Sequence, residues 1–465
     1  MDGRPLGSSF RDPGGFVYTR DGVLYRQVNR VFQDRFEAFL GSGLYDELAR
    51  QRLLVSHRPV SLELAASPEA VAVLEPERVP FVSYPYEWSV GQLRDAALLT
   101  LELQERALVR GFTLRDASAY NVQFLGGRPV LIDSLSFEPR EEGAPWAAYG
   151  QFCQHFLVPL ALMCHVDIRL GTLQRTYLDG VPLELGSRLL GAAGWLRPGL
   201  LFHVRAQAKL QRRYADRDIG RAARARSVGA PALLQLVRGL RGAVEGLAWN
   251  PVGTEWADYA HETNYTPSAA GAKRNLVIEM LQGLGARTVW DLGANTGDYS
   301  RAARTLVPGV VAFDLDPAAV ERNYRRVRAE GETGILPLLM DLTNPSPAQG
   351  WAHRERLSLE ERGPADVVLA LALIHHLAIG HNLPLNRIAD FLARLGRRLV
   401  IEFVAKSDSQ VGRLLRNRPD IFPDYTVDGF ESAFRRRFAI DRREPIPGSE
   451  RTLYLMTALP GGAGR

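Results

Sequence analysis

The C-terminal half of the chain alternates short apolar runs with amphipathic stretches. Runs that predict strands are RTVWDL, GVVAFDLD, ILPLLMDL, ADVVLALALI and RRLVIEFV. Between them, NLVIEMLQGL and PAAVERNYRRVRAE have apolar residues at helical spacing. Nearly continuous apolar strands alternating with helices are typical of a parallel sheet that is covered on both faces. We therefore expect a doubly wound α/β domain with a Rossmann-like topology in this half.

The N-terminal half has a different pattern, with hairpin signals and one long helix. The segment GFVYTRDGVLYRQV predicts two strands joined at Asp21–Gly22, and NVQFL and RPVLI flank a second tight turn at Gly126–Gly127. Ser89 followed by Gln92 is a capping box that opens a helix, and Gly111 is its expected C-terminal stop. This half is therefore expected to be an α+β domain.

Length and pattern together predict two domains. A chain of 465 residues has room for two sizeable cores. We expect disordered tails at 1–9 and 459–465, an α+β domain at 10–200, a basic helical connector at 201–250 and the α/β domain at 251–458. The arginine-rich stretch 205–226 in the connector is either an anionic-surface site or a solvated helix face.

Composition removes several classes of protein. Apolar residues make up 46% and charged residues 23%, and the formal net charge of +5 is too small to indicate nucleic acid. No run reaches the roughly 18–20 apolar residues of a membrane helix, and no secretory signal precedes the first domain, so a cytoplasmic location is the default expectation. The two cysteines, Cys153 and Cys164, exclude a disulfide framework and a cysteine metal site, and no metal is expected.

Three acids and a glycine-rich loop are the strongest chemical signal. The predicted strand RTVWDL runs through Asp291 into the loop Gly293-Ala-Asn295-Thr-Gly297. Asp314 ends the next strand, where an acid can accept both ribose hydroxyls of a nucleoside, and Asp341 ends the third. Carboxyl ends of parallel strands lie at the ligand-binding edge of a doubly wound sheet.

This segment resembles the class I S-adenosylmethionine-dependent methyltransferases, over about residues 256–456. The resemblance implies that Asp291, Gly293, Asn295 and Gly297 form the loop around the methionine part of the cofactor. It implies that Asp314 binds the ribose and that Asp341 binds the adenine. S-adenosylmethionine is accordingly the expected cofactor, and the alternative is another kind of nucleotide-binding α/β domain.

Candidate acceptor-side residues follow the fourth and fifth strands. His375 and His376 come after ADVVLALALI, where a histidine can act as a general base or orient the acceptor, although paired structural histidines are also common there. Glu402 ends RRLVIEF on the same edge and is a candidate for contact with the acceptor. Trp256, Tyr259, Asn264 and Tyr265 precede the domain and either cover the cofactor or pack as a linker.

A second constellation lies in the N-terminal half. Asp116 and Asn121, followed after a hairpin by Asp133, resemble the catalytic loop of protein-kinase-like phosphotransferases, over about residues 12–200. The resemblance implies an acceptor-orienting Asp116 and magnesium ligands at Asn121 and Asp133. The chain has no lysine before Lys209 for the triphosphate, and Arg26 is the possible substitute. We therefore expect a kinase-like domain that no longer transfers phosphate, with Mg–ATP as an optional ligand.

The order of the two halves resembles a bacterial group of nodulation-type methyltransferases. That resemblance implies a small-molecule or saccharide acceptor, with no membrane partner and with nucleic acid disfavoured. Two alternatives remain open at this stage. One is a kinase-like ATP-binding phosphotransferase or regulatory protein, and the other is an RNA-modifying methyltransferase that uses the basic connector.

Overall fold

The computed structural model describes residues 3–191, 197–206, 228–252, 265–416 and 418–460. The chain forms two compact units. Unit 1 contains Met1–Asn250 together with Gly350–Arg356, and unit 2 contains Pro251–Gln349 and Leu357–Arg465. In the described part of the chain, no helix is both long and apolar enough to cross a membrane.

Unit 1 begins with a four-stranded antiparallel sheet of order β1-β2-β4-β3. Its strands are β1 (Gly15–Arg20), β2 (Val23–Asn29), β3 (His57–Val60) and β4 (Ala70–Pro76). The β1–β2 hairpin turns at Asp21–Gly22 as predicted, and both turn residues have positive φ, which matches the twist of the flanking strands. Val28 and Leu74 from this sheet pack with Phe32, Phe36 and Leu135 in a buried cluster.

Two short ribbons follow the sheet. They are β5 (Phe112–Leu114) with β8 (Phe137–Pro139), and β6 (Val122–Leu125) with β7 (Arg128–Leu131). The β6–β7 hairpin turns at Gly126–Gly127 as predicted, with positive φ at both glycines. Asp116 follows the end of β5 and Asp133 follows the end of β7, and the two ribbons place these ends next to each other.

The helical part of unit 1 is built around one long helix. Helices in unit 1 are Gln33–Gly41, Leu44–Arg50, Val90–Val109, Tyr149–Phe152, Val158–His165, Leu173–Thr176, Leu183–Leu190, Pro198–Leu200 and Ala230–Glu245, with π-helical turns at Cys153–Leu157 and Leu201–Ala206. The predicted capping box is present, since Ser89 and Gln92 bond reciprocally, and Gly111 has a φ of 78° just after the helix. Cys153 and Cys164 lie in the helical run 149–165, and neither forms a disulfide.

Two predicted boundaries of unit 1 are wrong. The expected disordered tail at 1–9 is ordered in its described part, because the Gly3 and Leu6 N–H groups donate to carbonyls of β1 at 3.1 and 2.8 Å. The expected separate connector 201–250 is part of unit 1, since Ala230–Glu245 buries Val237 and Leu240 and pairs with the long helix through Arg238 and Glu105 at 3.0 Å. Of the arginine-rich stretch 205–226, residues 207–226 lie outside the described residues.

The segment Gly350–Arg356 belongs to unit 1 although it comes late in the chain. The Glu355 carboxylate accepts from Arg11 Nη2 at 2.6 Å and from the Trp351 N–H at 2.9 Å. The Arg356 guanidinium lies 4.0 Å from the centre of the Tyr120 ring. The sequence pattern predicts consecutive domains, so it does not place this segment in unit 1.

Unit 2 contains one seven-stranded sheet, of order β11-β10-β9-β12-β13-β15-β14. Its strands are β9 (Thr288–Leu292), β10 (Gly309–Asp314), β11 (Ile335–Leu339), β12 (Ala365–Ala370), β13 (Gly396–Phe403), β14 (Phe438–Pro445) and β15 (Thr452–Ala458). The first five are parallel, and β15 is antiparallel to both of its neighbours. The five apolar runs of the sequence therefore all form the predicted parallel strands.

Helices cover the sheet of unit 2 and complete the doubly wound fold. They are Pro267–Leu281, Asp298–Arg304, Pro317–Glu330, Leu385–Leu395, Ser409–Leu415 and Val427–Phe434, with a π-helical turn at His376–Gly380. Strand β9 pairs with β10 on one side and β12 on the other, so the chain direction across the sheet reverses there. The crevice at the carboxyl ends of β9 and β12 is the expected ligand site of such a sheet.

Candidate functional site

The glycine-rich loop after β9 is held in a turn that few residues can adopt. Gly293 and Gly297 have φ values of 77° and 83°, and Asn295 between them has a φ of 49°. The Gly293 and Ala294 N–H groups both donate to the Phe313 carbonyl at 2.9 Å, which fastens the loop to β10. Glycine and asparagine are the residues that tolerate left-handed backbone, so the sequence DLGANTG is suited to this conformation.

Asp291 lies under this loop and is almost completely buried. Its Oδ2 accepts from the Ser300 hydroxyl at 2.6 Å. Burial raises the pKa of Asp291 to about 6, and the nearby Asp314 carboxylate raises it as well, while Ser300 and Lys273 lower it. A cationic ligand would stabilise the ionised form of a buried carboxyl group whose pKa is raised in this way.

Asp314 ends β10 beside the same loop. One oxygen accepts from the Asn295 N–H at 2.7 Å and the other from the Asp316 N–H at 2.8 Å. Burial raises the pKa of Asp314 to about 6, against these two hydrogen bonds. A carboxylate has about four acceptor positions, so these hydrogen bonds leave Asp314 with capacity to accept from a ligand. The neighbouring acid Asp316 has a local role, because it caps the next helix by accepting from the N–H groups of Ala318 and Ala319.

Asp341 follows β11, two residues beyond the strand. Its Oδ1 accepts from the Thr343 N–H at 2.8 Å and from the Thr343 hydroxyl at 2.6 Å. The Met340 N–H donates to the Asp314 carbonyl at 2.8 Å, so the ends of β10 and β11 are joined directly. The three predicted acids thus stand at the carboxyl ends of three neighbouring parallel strands.

His375 and His376 lie in the segment that leaves β12. A Cβ atom added to Gly293 would lie 3.6 Å from Leu373, so this segment passes beside the glycine loop. The His375 side chain is fully buried, and neither ring nitrogen has a hydrogen-bond partner among the described residues. Burial lowers the pKa of His375 well below its ordinary value, and His376 contributes to the lowering, so the ring is neutral near pH 7. The two imidazole rings are 4.1 Å apart.

Glu402 does not match the expectation that its carboxylate faces an acceptor. The side chain is fully buried in β13, and Oε2 is bound by Lys273 Nζ at 2.6 Å and by the Ala372 N–H at 2.8 Å. Oε1 accepts from Arg451 at 3.2 Å and from the Tyr265 hydroxyl. Four donors occupy the acceptor positions of this carboxylate, which corrects the predicted role.

Lys273 and Arg451 are site residues that the sequence analysis missed. Both are 3% exposed, and Lys273 Nζ also lies 5.0 and 4.7 Å from the ring centres of Tyr265 and Tyr299. A signal for Lys273 was present: it is one of three lysines and occupies the apolar face of its helix, four residues before Val277. No comparable pattern marks Arg451, which reaches the cluster from the turn before β15. Of the proposed lid, Trp256, Tyr259 and Asn264 lie outside the described residues.

The second motif forms its own cluster in unit 1. Arg26 from β2 pairs with the Asp133 carboxylate, which also accepts from the Ser136 hydroxyl at 2.6 Å. The Ile132 N–H donates to the Asn121 carbonyl at 2.8 Å, which joins the two parts of the motif. Burial raises the pKa of Asp116, and the Asp133 carboxylate adds to the effect. Asp116, Asn121, Asp133 and the predicted substitute Arg26 are therefore all brought to one place.

The strand order and the acids of unit 2 define a class of protein. A doubly wound sheet with a glycine-rich loop after its first strand, and a carboxylate after the second, is a Rossmann-like domain. The chain is 38% identical over 460 residues to nodulation protein NoeA of Rhizobium meliloti (strain 1021). The aligned region covers 97% of this chain and 95% of that protein. The chain belongs to the family of this nodulation protein. A scan against protein-family models gave no match.

Solved structures that align with part of the chain are distant. The N-methyltransferase NodS from Bradyrhizobium japonicum WM9 is 11% identical, covers 41% of this chain and 97% of its own, and has a TM-score of 0.31. Magnesium protoporphyrin IX methyltransferase (ChlM) from Synechocystis PCC 6803, with bound SAH, is 14% identical, covers 44% and 96%, and has a TM-score of 0.30. WbdD with the kinase inhibitor LY294002 is 16% identical, covers 40% of each chain and has a TM-score of 0.28. At such distances, the chemistry of this chain has to be inferred from its own residues.

Proposed function

We propose that the chain is an S-adenosylmethionine-dependent methyltransferase whose cofactor binds to unit 2. The observation that carries the proposal is a pair of carboxylates, the buried Asp291 and the half-buried Asp314, on either side of a left-handed glycine loop. Both have raised pKa values because no cation among the described residues offsets their burial fully. The donor set therefore fits a ligand that has a positive charge and ribose hydroxyls.

Each predicted cofactor residue has a defined task in this proposal. The loop residues Gly293–Gly297 and Asp291 would hold the methionine part, the free acceptor positions of Asp314 would take the ribose hydroxyls, and Asp341 would take the adenine. Bound S-adenosylmethionine supplies a methyl group on a positively charged sulfur, and the sulfur leaves as a neutral thioether. Catalysis then needs alignment and, for a hydroxyl acceptor, removal of one proton.

His375 is the residue suited to remove that proton. Its imidazole is neutral near pH 7 and has two nitrogens without partners among the described residues. In this proposal a ring nitrogen of His375 would accept the proton of the acceptor hydroxyl. This chemistry favours a hydroxyl on a small molecule or saccharide, because such an acceptor is neutral until it reacts. His376 packs against this ring, with the two ring planes tilted by 40°, and would help to orient it.

Calorimetric titration of the full chain with S-adenosylmethionine tests the cofactor assignment. Asp314→Ala is expected to abolish measurable binding because it removes the ribose contacts. The matched control is Asp441→Ala, an exposed aspartate on the edge strand β14. Binding that survives Asp314→Ala unchanged would contradict the assignment. Methyl-labelled cofactor mixed with separate saccharide, small-molecule and RNA fractions then distinguishes the acceptor classes by where the label appears.

A second function is proposed for unit 1, namely a kinase-like module without phosphotransfer. The supporting observation is the Arg26–Asp133 ion pair, since a guanidinium bound to this carboxylate neutralises the charge that magnesium would need. The measurement is titration with Mg–ATP, followed by assay for phosphate transfer. We expect no transfer. Transfer that is lost in Asp133→Ala would show an active kinase instead.

A further inference from the structure

The buried carboxylate of Glu402 is the meeting point of three otherwise separate elements of unit 2. Lys273 comes from the helix Pro267–Leu281, Arg451 from the turn before β15, and Ala372 from the segment after β12. Arg451 also binds Asp408 at 2.7 Å. Buried ions are strongly destabilising unless they are paired and hydrogen-bonded, so this arrangement requires all of its partners.

Ala372 is the partner with an unusual backbone. Its φ is 51°, in the left-handed region that is unfavourable for a residue with a Cβ. Such a conformation persists when surrounding contacts determine it. Here the Ala372 N–H donates to Glu402 Oε2 at 2.8 Å, and β12 and β13 are aligned so that Ala370 faces Ile401, the residue before Glu402.

The imidazole of His375 follows this turn by three residues. Neither of its ring nitrogens is held by a hydrogen bond from the described residues, so the position of the ring depends on its backbone and on packing against His376. Glu402 has no acceptor position left for a substrate. The contact through Ala372 is therefore the route by which Glu402 affects the candidate base.

We propose that Glu402 is a positioning residue, which holds the Ala372–His375 segment, and with it the imidazole of His375, in place for methyl transfer. Lys273 and Arg451 keep the carboxylate charged and fixed. The proposal rests on the proposed methyltransferase function, in which His375 is the base. It assigns Glu402 no contact with substrate or cofactor.

Two charge-matched double variants isolate the contact with Ala372. The four charges of Lys273, Arg451, Glu402 and Asp408 sum to zero, and Lys273→Met/Glu402→Gln and Lys273→Met/Glu402→Ala both preserve that sum. The glutamine variant retains an oxygen that can accept from the Ala372 N–H, whereas the alanine variant does not. A difference between them therefore reports on this acceptor and not on net charge.

The readout is the imidazole NMR spectrum of the full chain labelled with ¹⁵N-histidine, with His375 assigned from the signal missing in His375→Gln. We expect the His375 nitrogen signals to stay at their wild-type shifts in the glutamine variant and to move or broaden in the alanine variant. Wild-type shifts in both variants, or equal changes in both, would overturn the proposal. If the alanine variant does not fold, Glu402→Asp answers the same question, because it keeps the charge and withdraws the carboxylate by one methylene. Displaced His375 signals in Glu402→Asp support the proposal, and unchanged signals overturn it.

The two proposals fail separately. Titration of the wild-type chain with S-adenosylmethionine tests the methyltransferase function, and the His375 spectrum needs no cofactor. Wild-type protein that binds no cofactor refutes the function. Wild-type protein that binds cofactor, with a His375 spectrum insensitive to residue 402, refutes the positioning role alone.

Discussion

Lowering the pH from 7 to 5 is expected to weaken binding of S-adenosylmethionine by about tenfold to a hundredfold. The reason is that Asp291 and Asp314 both have pKa values of about 6 in the protein without cofactor. A positive sulfur and ribose hydroxyls both favour the ionised carboxylates, so the pKa values fall when the cofactor binds. Binding is consequently coupled to loss of protons.

The magnitude comes from the two pKa values. A carboxyl with a pKa of 6 is roughly nine-tenths ionised at pH 7 and about one-tenth ionised at pH 5. If binding requires the ionised form, one such group lowers the affinity about tenfold over this range and two lower it up to about a hundredfold. The two carboxylates repel each other, so they titrate as a coupled pair. The tenfold loss of affinity is therefore the lower bound of the expected effect.

Isothermal titration calorimetry measures this coupling in two ways. The dissociation constant is determined at several pH values between 5 and 7, below the range in which the amino group of the cofactor titrates. Repeating the titration near pH 6 in buffers of different ionisation enthalpy counts the protons released. Asp291→Asn is the informative variant, since it removes one of the two titrating groups and should reduce both the pH dependence and the proton count.

An affinity that is flat between pH 5 and 7, with no proton release at pH 6, would refute the reasoning. It would show that the cofactor does not change the ionisation of the two acids. The same outcome with tight binding would place the positive charge of the cofactor away from Asp291. A pH dependence that is identical in the wild type and in Asp291→Asn would assign the effect to other groups.

Three further predictions concern stability and the loop. Because the pKa of Asp291 is raised in the folded chain, its ionisation lowers the free energy of unfolding as the pH rises from about 4 to about 6, and the loss is complete above that. Asp291→Asn should therefore raise the free energy of unfolding at pH 8 by up to about 3 kcal/mol in urea denaturation, while weakening cofactor binding. Lys273→Met should lower the free energy of unfolding by about 3–5 kcal/mol by leaving Glu402 buried without its lysine, and Lys273→Met/Glu402→Gln should regain part of that loss. Gly297→Ala should abolish cofactor binding, because φ is 83° and an added Cβ would lie 2.5 Å from a neighbouring side chain. The control Gly331→Ala should bind the cofactor normally, because an added Cβ there meets open space although φ is 65°. Equal binding by the two alanine variants would contradict this reasoning.

The parallel sheet of unit 2 was predictable because its signal is local. Each strand is a short apolar run bounded by turn residues, and the helix 317–330 begins and ends as its pattern predicts. The order of the acids along the chain also gave their place in space, since parallel strands bring their carboxyl ends to one edge. The same logic predicted the two hairpins of unit 1, whose Asp-Gly and Gly-Gly turns need positive φ.

The boundaries of unit 1 depend on contacts between distant parts of the chain, which no local pattern encodes. Residues 3–9 are polar and glycine-rich, yet their backbone pairs with β1, and backbone pairing needs no particular side chains. The insertion of Gly350–Arg356 depends on an ion pair between Arg11 and Glu355, which are separated by more than three hundred residues. A charged residue in a loop is usually solvated, so the sequence offered no reason to place Glu355 in a buried environment.

Glu402 shows why a position at the correct strand end does not define a chemical role. Its place at the end of β13 made it a candidate for the acceptor side, and nothing in RRLVIEF distinguishes a free carboxylate from a neutralised one. The distinction comes from Lys273 and Arg451, which lie 129 residues before it and 49 residues after it. A carboxylate whose acceptor positions are all filled can neither take a proton nor bind a hydroxyl, so it can act only through the groups that bind it. Of those groups, the Ala372 N–H is the one that leads to His375. The sequence pattern presents Glu402 and His375 as parallel candidates, whereas our proposal makes Glu402 a support for His375 through Ala372.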